Sequence, residues 1–133
     1  RMQNQKKIDT TLQIITCVNE DSEKAMVRAK KTLAFYVSVG KIYREFLAIN
    51  GFENETKNIY EEYKKNGLQN NHELVPESMV DELCIAGTSD ECKIQLKQFR
   101  ETGINLPIIQ FNPTDNVEDS FDLVTSTFSE GID

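Results

Sequence analysis

Two short apolar runs at opposite ends of the chain constrain its fold more than any other feature. The first is Leu12-Gln13-Ile14-Ile15-Thr16-Cys17-Val18, β-branched, nearly all apolar and flanked by polar residues. Apolar groups fall on both of its faces, which suits a strand buried on both sides, as in a parallel sheet. The second follows Gly103 and reads Ile104-Asn105-Leu106-Pro107-Ile108-Ile109-Gln110-Phe111, closed by Asn112-Pro113. Pro107 has no N–H, so it must stand at the start of this strand or at an unpaired position. Two strands of this kind cannot cover both edges of a parallel sheet between them. Further strands are therefore expected from a longer polypeptide or from a partner copy. The alternative is a small, mostly helical domain in which one run only imitates a strand, because short apolar runs are ambiguous by period alone.

The residues between the runs carry helical patterns. Asn19-Glu20-Asp21-Ser22 supplies cap formers and acidic charge at a helix start. Met26, Ala29, Leu33, Tyr36, Val37 and Gly40 then recur at three- and four-residue steps. A second helix, or a continuation after a kink, is predicted over 41–50, with Gly51 as its left-handed cap. A third is predicted over 54–66 and ends at Gly67. The run 68–75 reads as a polar loop, and Pro76 sits at the first position of a fourth helix whose inner face is Met79, Val80 and Leu83. Thr88 and Glu91 form a capping box at the head of a helix ending near Gly103. A last helix carries Val117, Phe121, Val124 and Phe128. A plain crossover between parallel strands needs only about a dozen residues. The several helices between these two runs therefore read as an insertion on a barrel or sheet loop, placed to shape a pocket.

Charge narrows the function classes. With 22 acidic against 15 basic residues the net charge is −7, and no basic face is available for nucleic acid. No apolar stretch approaches the ~20 residues of a membrane span. The opening residues Arg1-Met2-Gln3-Asn4-Gln5 are polar and show no secretory leader, and an opening Arg1 suggests a segment cut from a longer chain. Cys17, Cys84 and Cys92 fit no disulfide framework or zinc spacing and sit among apolar residues. They read as buried free thiols in a reducing, cytoplasmic setting, and no metal site is expected.

Local motifs are weak. There is no G-x-G-x-x-G, P-loop, H-E-x-x-H or nucleophile elbow. His72, the only histidine, lies in the polar run Asn70-Asn71-His72-Glu73 and reads as a surface side chain. The pairs Glu61/Glu62 and Asp81/Glu82 are adjacent, so they do not face each other on a helix and read as solvated surface. Tyr36, Tyr43, Phe46, Phe52, Tyr60 and Tyr63 suit either core or subunit packing, or the rim of a flat heteroaromatic ligand. The strand ends offer Thr16 and Asn19 after the first run and Gln110 and Asn112 at the second. These four are the candidate cofactor-binding residues, since polar groups at such ends can hydrogen-bond a ring or phosphate, although they can equally cap loops. No catalytic residue can be named.

Ile85-Ala86-Gly87-Thr88-Ser89-Asp90-Glu91, then a helix, Gly103, an apolar strand and Asn112-Pro113, resembles the C-terminal signature of luciferase-like monooxygenases. Ser89 replaces a usual proline. The earlier strand with Asn19 to Ala25, the helix with Phe35-Tyr36, and Phe46 to Gly51-Phe52 resemble the deazaflavin-dependent, methylenetetrahydromethanopterin reductase-like branch. The resemblance covers roughly Leu12 to Phe128. It implies an α/β fold: residues 1–133 as the C-terminal part of a (β/α)8 TIM barrel, with Leu12–Val18 and Ile104–Phe111 as strands seven and eight. A helical insertion at about 41–84 would lie between these last two strands. It further implies coenzyme F420 or FMN as cofactor, hydride transfer or monooxygenation on a small-molecule substrate, and a homo-oligomer or the rest of the barrel as structural partner. The isolated segment would be inactive. The competing reading is a non-catalytic helical α/β module acting through protein–protein contacts.

Overall fold

The computed structural model describes residues 11–103 and 106–129. Lys6, Lys7, Ile104 and Asn105 lie outside the described residues. Strand β1 (Thr11–Val18) is the centre of a three-stranded parallel sheet, with β2 (Cys84–Gly87) on one side and β3 (Leu106–Phe111) on the other. Ile15 lies opposite both Cys84 and Gln110, which fixes the register across the sheet.

Successive β1 side chains alternate between two cores, as pleating requires. Ile15 and Cys17 enter the larger one, with Ala29, Leu33 and Val37 of α1 (Ser22–Val39), Ile59 of α3 (Glu53–Asn66), and Met79 and Val80 of α4 (Glu77–Leu83). Ile14 and Val18 enter the other, with Ile85 of β2, Cys92 and Leu96 of α5 (Ser89–Glu101) and Phe128 of α6 (Val117–Phe128). Burial on both faces, expected for the first run, is thus present, and helices cover both sides of the sheet.

The barrel expectation is overturned. The described residues are mostly helical, and their sheet is open and three-stranded. Consecutive barrel strands would put the second between the first and third, whereas here β1 is in the middle. The path goes from β1 to β2 through the helices on one face, then past β1 to β3 through α5 on the other, which is doubly wound logic. The helical stretch at about 41–84 therefore does not lead directly from one apolar run to the other, because β2 intervenes. Among the described residues, the outer edges of β2 and β3 have no strand partner.

Helix boundaries follow local chemistry. The Asp21 side chain accepts from Glu23 N at the head of α1. Gly40 separates α1 from α2 (Lys41–Leu47), and a Cβ there would lie 2.9 Å from Tyr36 O. A π-type turn, Ala48–Phe52, holds Gly51 at φ +106°, in the left-handed region expected of it after the second helix. The Thr88–Glu91 capping box forms in both directions. A 3-10 turn, Asn71–Leu74, replaces the predicted polar loop, and its Asn71 is buried. No helix of the described residues is long and apolar enough to cross a membrane.

Candidate functional site

Helix α1 lies over β1 and β2, leaving the same face of β3 largely uncovered. That face presents Ile108, Gln110 and Asn112 in alternation, while Ile109 turns to the opposite core. A cavity of about 480 Å³ opens there. Arg28, Lys31, Thr32, Phe35 and Tyr36 of α1 form one wall, and Leu68, Gln69, Asn71, His72 and Asn112 form the rest. A neighbouring cavity of about 390 Å³, lined by Asp21, Lys24, Val27 and Thr114, shares Arg28 and Lys31 with it. The smaller lies, through Asp21 and Thr114, by the loops leaving the carboxyl ends of β1 and β3, and the larger runs along α1 and reaches that end through Asn112. In an open sheet of order β2-β1-β3 this is where the chain reverses its winding, the position at which such sheets bind ligands.

Of the four predicted residues, Asn112 lines the larger cavity and Gln110 holds one of its lining rings. Asn112 is buried in its wall, accepting from Thr32 Oγ1 at 3.1 Å and donating Nδ2 to Gln110 O at 2.9 Å. Gln110 donates Nε2 to the Tyr36 hydroxyl at 3.0 Å, which fixes that ring beside the opening. The other two are engaged elsewhere. Thr16 is fully buried and donates to Ile14 O. Asn19 ties the β1 and β3 loops together: its Nδ2 donates to Thr114 Oγ1 at 2.9 Å and Asp115 Oδ2 at 3.1 Å, and its Oδ1 accepts from Asp21 N.

The sequence reading missed the cationic and imidazole parts of this wall. Arg28 is held in place by its Nε donating to Pro113 O at 2.9 Å. His72, expected at the surface, is half-buried, with an Nδ1 that is enclosed and unpartnered among the described residues. Burial first, then the positive charges of Lys31 and Lys30, lower its pKa against an opposing pull from Glu73, which favours the neutral ring. No pattern of spacing marks Asn71 or His72, because their placement depends on α3 and α1 meeting over the turn.

The aromatic side chains divide between the two roles left open for them. Phe52 is buried. Tyr36 and Tyr43 pack with ring centres 5.7 Å apart, and Phe35 stands edge-on to Tyr36 at 5.6 Å. Tyr60 lies beneath the Arg44 guanidinium, 3.7 Å from its centre. Phe35 and Tyr36 thus line the cavity, while Phe52 and Tyr60 serve packing. The three cysteines are buried free thiols, as expected.

Residues 1–106 match the family described as luciferase-like monooxygenase. The chain belongs to this family. This luciferase-like chain is therefore a member of a flavin-binding, oxidoreductase-type superfamily. Its fold is similar to part of the coenzyme F420 dependent tetrahydromethanopterin reductase from Methanopyrus kandleri, with a TM-score of 0.69 at 20% identity. That likeness covers 87% of this chain and 33% of the reductase, so the luciferase-like chain spans about a third of the length of the solved protein. No curated protein matches it.

Proposed function

We propose that this chain forms a cofactor-contacting part of a flavin- or deazaflavin-dependent oxidoreductase, with coenzyme F420 or FMN as the cofactor and a small molecule as hydride donor or acceptor. The supporting observation is the cavity beside the uncovered face of β3. Its volume falls within the ~300–1,000 Å³ usual for small-molecule sites. It combines two cations, Arg28 and Lys31, with the rings of Phe35 and Tyr36 and the amides of Gln69 and Asn112. A planar ring carrying a phosphorylated side chain suits this set: aromatic surface for the ring, fixed amides for its edge and cations for its phosphate. The unpartnered, enclosed polar atoms of Asn71 and His72 add to that fit. When bound, reduced flavin or deazaflavin supplies the hydride chemistry, and the protein orients it and limits water.

Of the four candidate residues, Asn112 contributes to the polar lining of this site and Gln110 positions Tyr36 from outside it. Asn19 shapes the adjoining loops, and Thr16 supports β1 from within the core. The test is titration of the chain with FMN and, separately, with coenzyme F420, followed by ligand fluorescence. Saturable binding that weakens at least about tenfold in Arg28→Ala/Lys31→Ala is expected, from the loss of charge-assisted contacts. Equal binding by the doubly substituted chain would remove the cavity from the proposal.

One observation favours the interaction-module reading. Ile42, Phe46 and Ile49 stand at helical spacing along α2 and the following turn, with Ile42 82% and Ile49 85% exposed. Concentration-dependent self-association abolished by Ile42→Glu, without binding of either cofactor, is the result that reading requires.

A further inference from the structure

The Asn71–His72 turn lining the cavity holds two buried polar atoms, Asn71 Oδ1 and His72 Nδ1, without partners among the described residues. Asn71 is completely buried. Its Nδ2 donates to Ser38 Oγ at 2.8 Å and to Ile59 O at 3.3 Å. Because a backbone carbonyl can only accept, Ile59 O fixes which way the amide points and leaves Oδ1 as the unsatisfied end. The neighbouring His72 Nδ1 is likewise enclosed and unpartnered among the described residues. Both side chains line the cavity that Arg28 and Lys31 of α1 also line. A buried polar atom with no partner is costly, and two in consecutive residues at a cavity wall point to partners supplied from beyond the described residues, as a ligand in the cavity would supply them.

We propose that this turn is a donor-reading subsite, at which Asn71 Oδ1 accepts a ring N–H and His72 Nδ1 a second N–H or hydroxyl of one phosphorylated heterocycle whose phosphate lies toward Arg28 and Lys31. It rests on the cavity being a ligand site, as proposed above, and adds which edge of the ligand is recognised. The ring class is a cyclic imide or lactam, since such a ring presents an N–H in its plane. Flavin and deazaflavin rings carry this group, and so do simple pyrimidine nucleotides. The shared chemistry is the imide N–H together with hydroxyls and a phosphate.

The probes alter the ligand and so leave the fold untouched. Binding of FMN is compared with that of 3-methyl-FMN, and binding of uridine 5′-monophosphate with that of its 3-methyl analogue, by calorimetry on the full chain. Blocking the N–H is expected to weaken each pair at least about tenfold, because Asn71 Oδ1 is then left unpaired in the complex. His72→Phe keeps a planar ring but removes the acceptor, so it should weaken both parent ligands several-fold while preserving the methyl discrimination. If FMN fails to bind but the nucleotide pair is discriminated, the subsite stands and the cofactor reading falls. If FMN binds and methylation changes nothing, the cofactor reading stands and the subsite is overturned. Absence of binding by all four probes overturns both.

Discussion

Asn112 connects β3 to α1 across the cavity wall, so its removal measures how much that junction contributes to the fold. Its Nδ2 donates to Gln110 O at 2.9 Å, and its Oδ1 accepts from Thr32 Oγ1 at 3.1 Å. The side chain is 6% exposed, so little water can replace either bond. Each such bond contributes roughly 0.5–1.5 kcal/mol net, and an orphaned buried group costs about 1–3 kcal/mol. Thr32 retains a second acceptor, Arg28 O at 3.1 Å, which limits the damage on its side. Asn112→Ala should therefore destabilise by about 1–3 kcal/mol. Thr32→Val removes the hydroxyl and leaves Asn112 Oδ1 unpaired, at a cost of about 1 kcal/mol. Because the two groups bond each other, the double variant should fall short of additivity by roughly 0.5–1.5 kcal/mol. Urea unfolding followed by circular dichroism supplies all four stabilities of the cycle. Strict additivity, or an Asn112→Ala loss under about 0.5 kcal/mol, would show that β3 is not held to α1 through this contact.

Three further perturbations test other parts of the structure. Burial raises the Cys17 and Cys92 thiols from 9.0 to about 12, and raises Cys84 further. The folded thiols keep their protons while the unfolded ones lose theirs, so stability present below pH 9 should decline from pH 9 toward 12, and replacing Cys17 with Ala should flatten that decline in alkaline unfolding curves. Thiol reagents at pH 8 should label none of the three until the chain unfolds. Gly87→Ala places a Cβ against the Glu91 carboxylate at φ +144°, so it should break half of the capping box and lower stability by about 1–3 kcal/mol, seen as a reduced melting temperature. Arg44 donates Nη1 to Val37 O at 2.6 Å and Ser38 O at 3.1 Å while covering the Tyr60 ring. Arg44→Lys cannot reproduce that fork and stack together, and a loss of about 1–2 kcal/mol is expected in thermal unfolding.

What could be read from the sequence was whatever depends on near neighbours. The capping box needs only residues three apart, and Thr88 with Glu91 satisfies it. The two-sided burial of β1 follows from an uninterrupted apolar run, and the alternation of Ile14 and Val18 against Ile15 and Cys17 supplies both cores. β2 escaped notice because it has four residues, begins directly where α4 ends, and includes Ala86 and Gly87, which are weak strand formers. Missing it left the sheet one strand short and made the helices read as an insertion directly between the two apolar runs. Val117 and Phe121 show the opposite error. They fit the helical stripe of α6, yet they are 62% and 55% exposed, because β3 stops short of covering them and only Phe111 meets Phe121, at 5.6 Å. Among the site residues, Gln110 and Asn112 were accessible because a strand end announces them. Arg28 and His72 were not, because 44 residues and two helices separate them and only the packed turn brings both to one cavity.

The bare face of β3 links the fold to the proposed chemistry. An amphipathic helix laid over a parallel sheet ordinarily covers adjacent strands on its side, and α1 does so for β1 and β2. Over β3 it contributes Tyr36 and Thr32, which bond Gln110 and Asn112 instead of packing on them. Polar side chains at these two strand positions prevent the close apolar contact that would close the layer. Ile108, with no such bond, remains 48% exposed. Replacing both amides with leucine would favour collapse of α1 onto β3 and close the cavity to any ligand, with the apolar filling offset by the loss of the bonds to Tyr36, Thr32 and Gln110 O. Proteins often hold this balance at a binding site, giving up some stability to keep polar groups in place there. A Gln110→Leu/Asn112→Leu chain whose titration with FMN matched that of the parent chain would show that the open face has another cause.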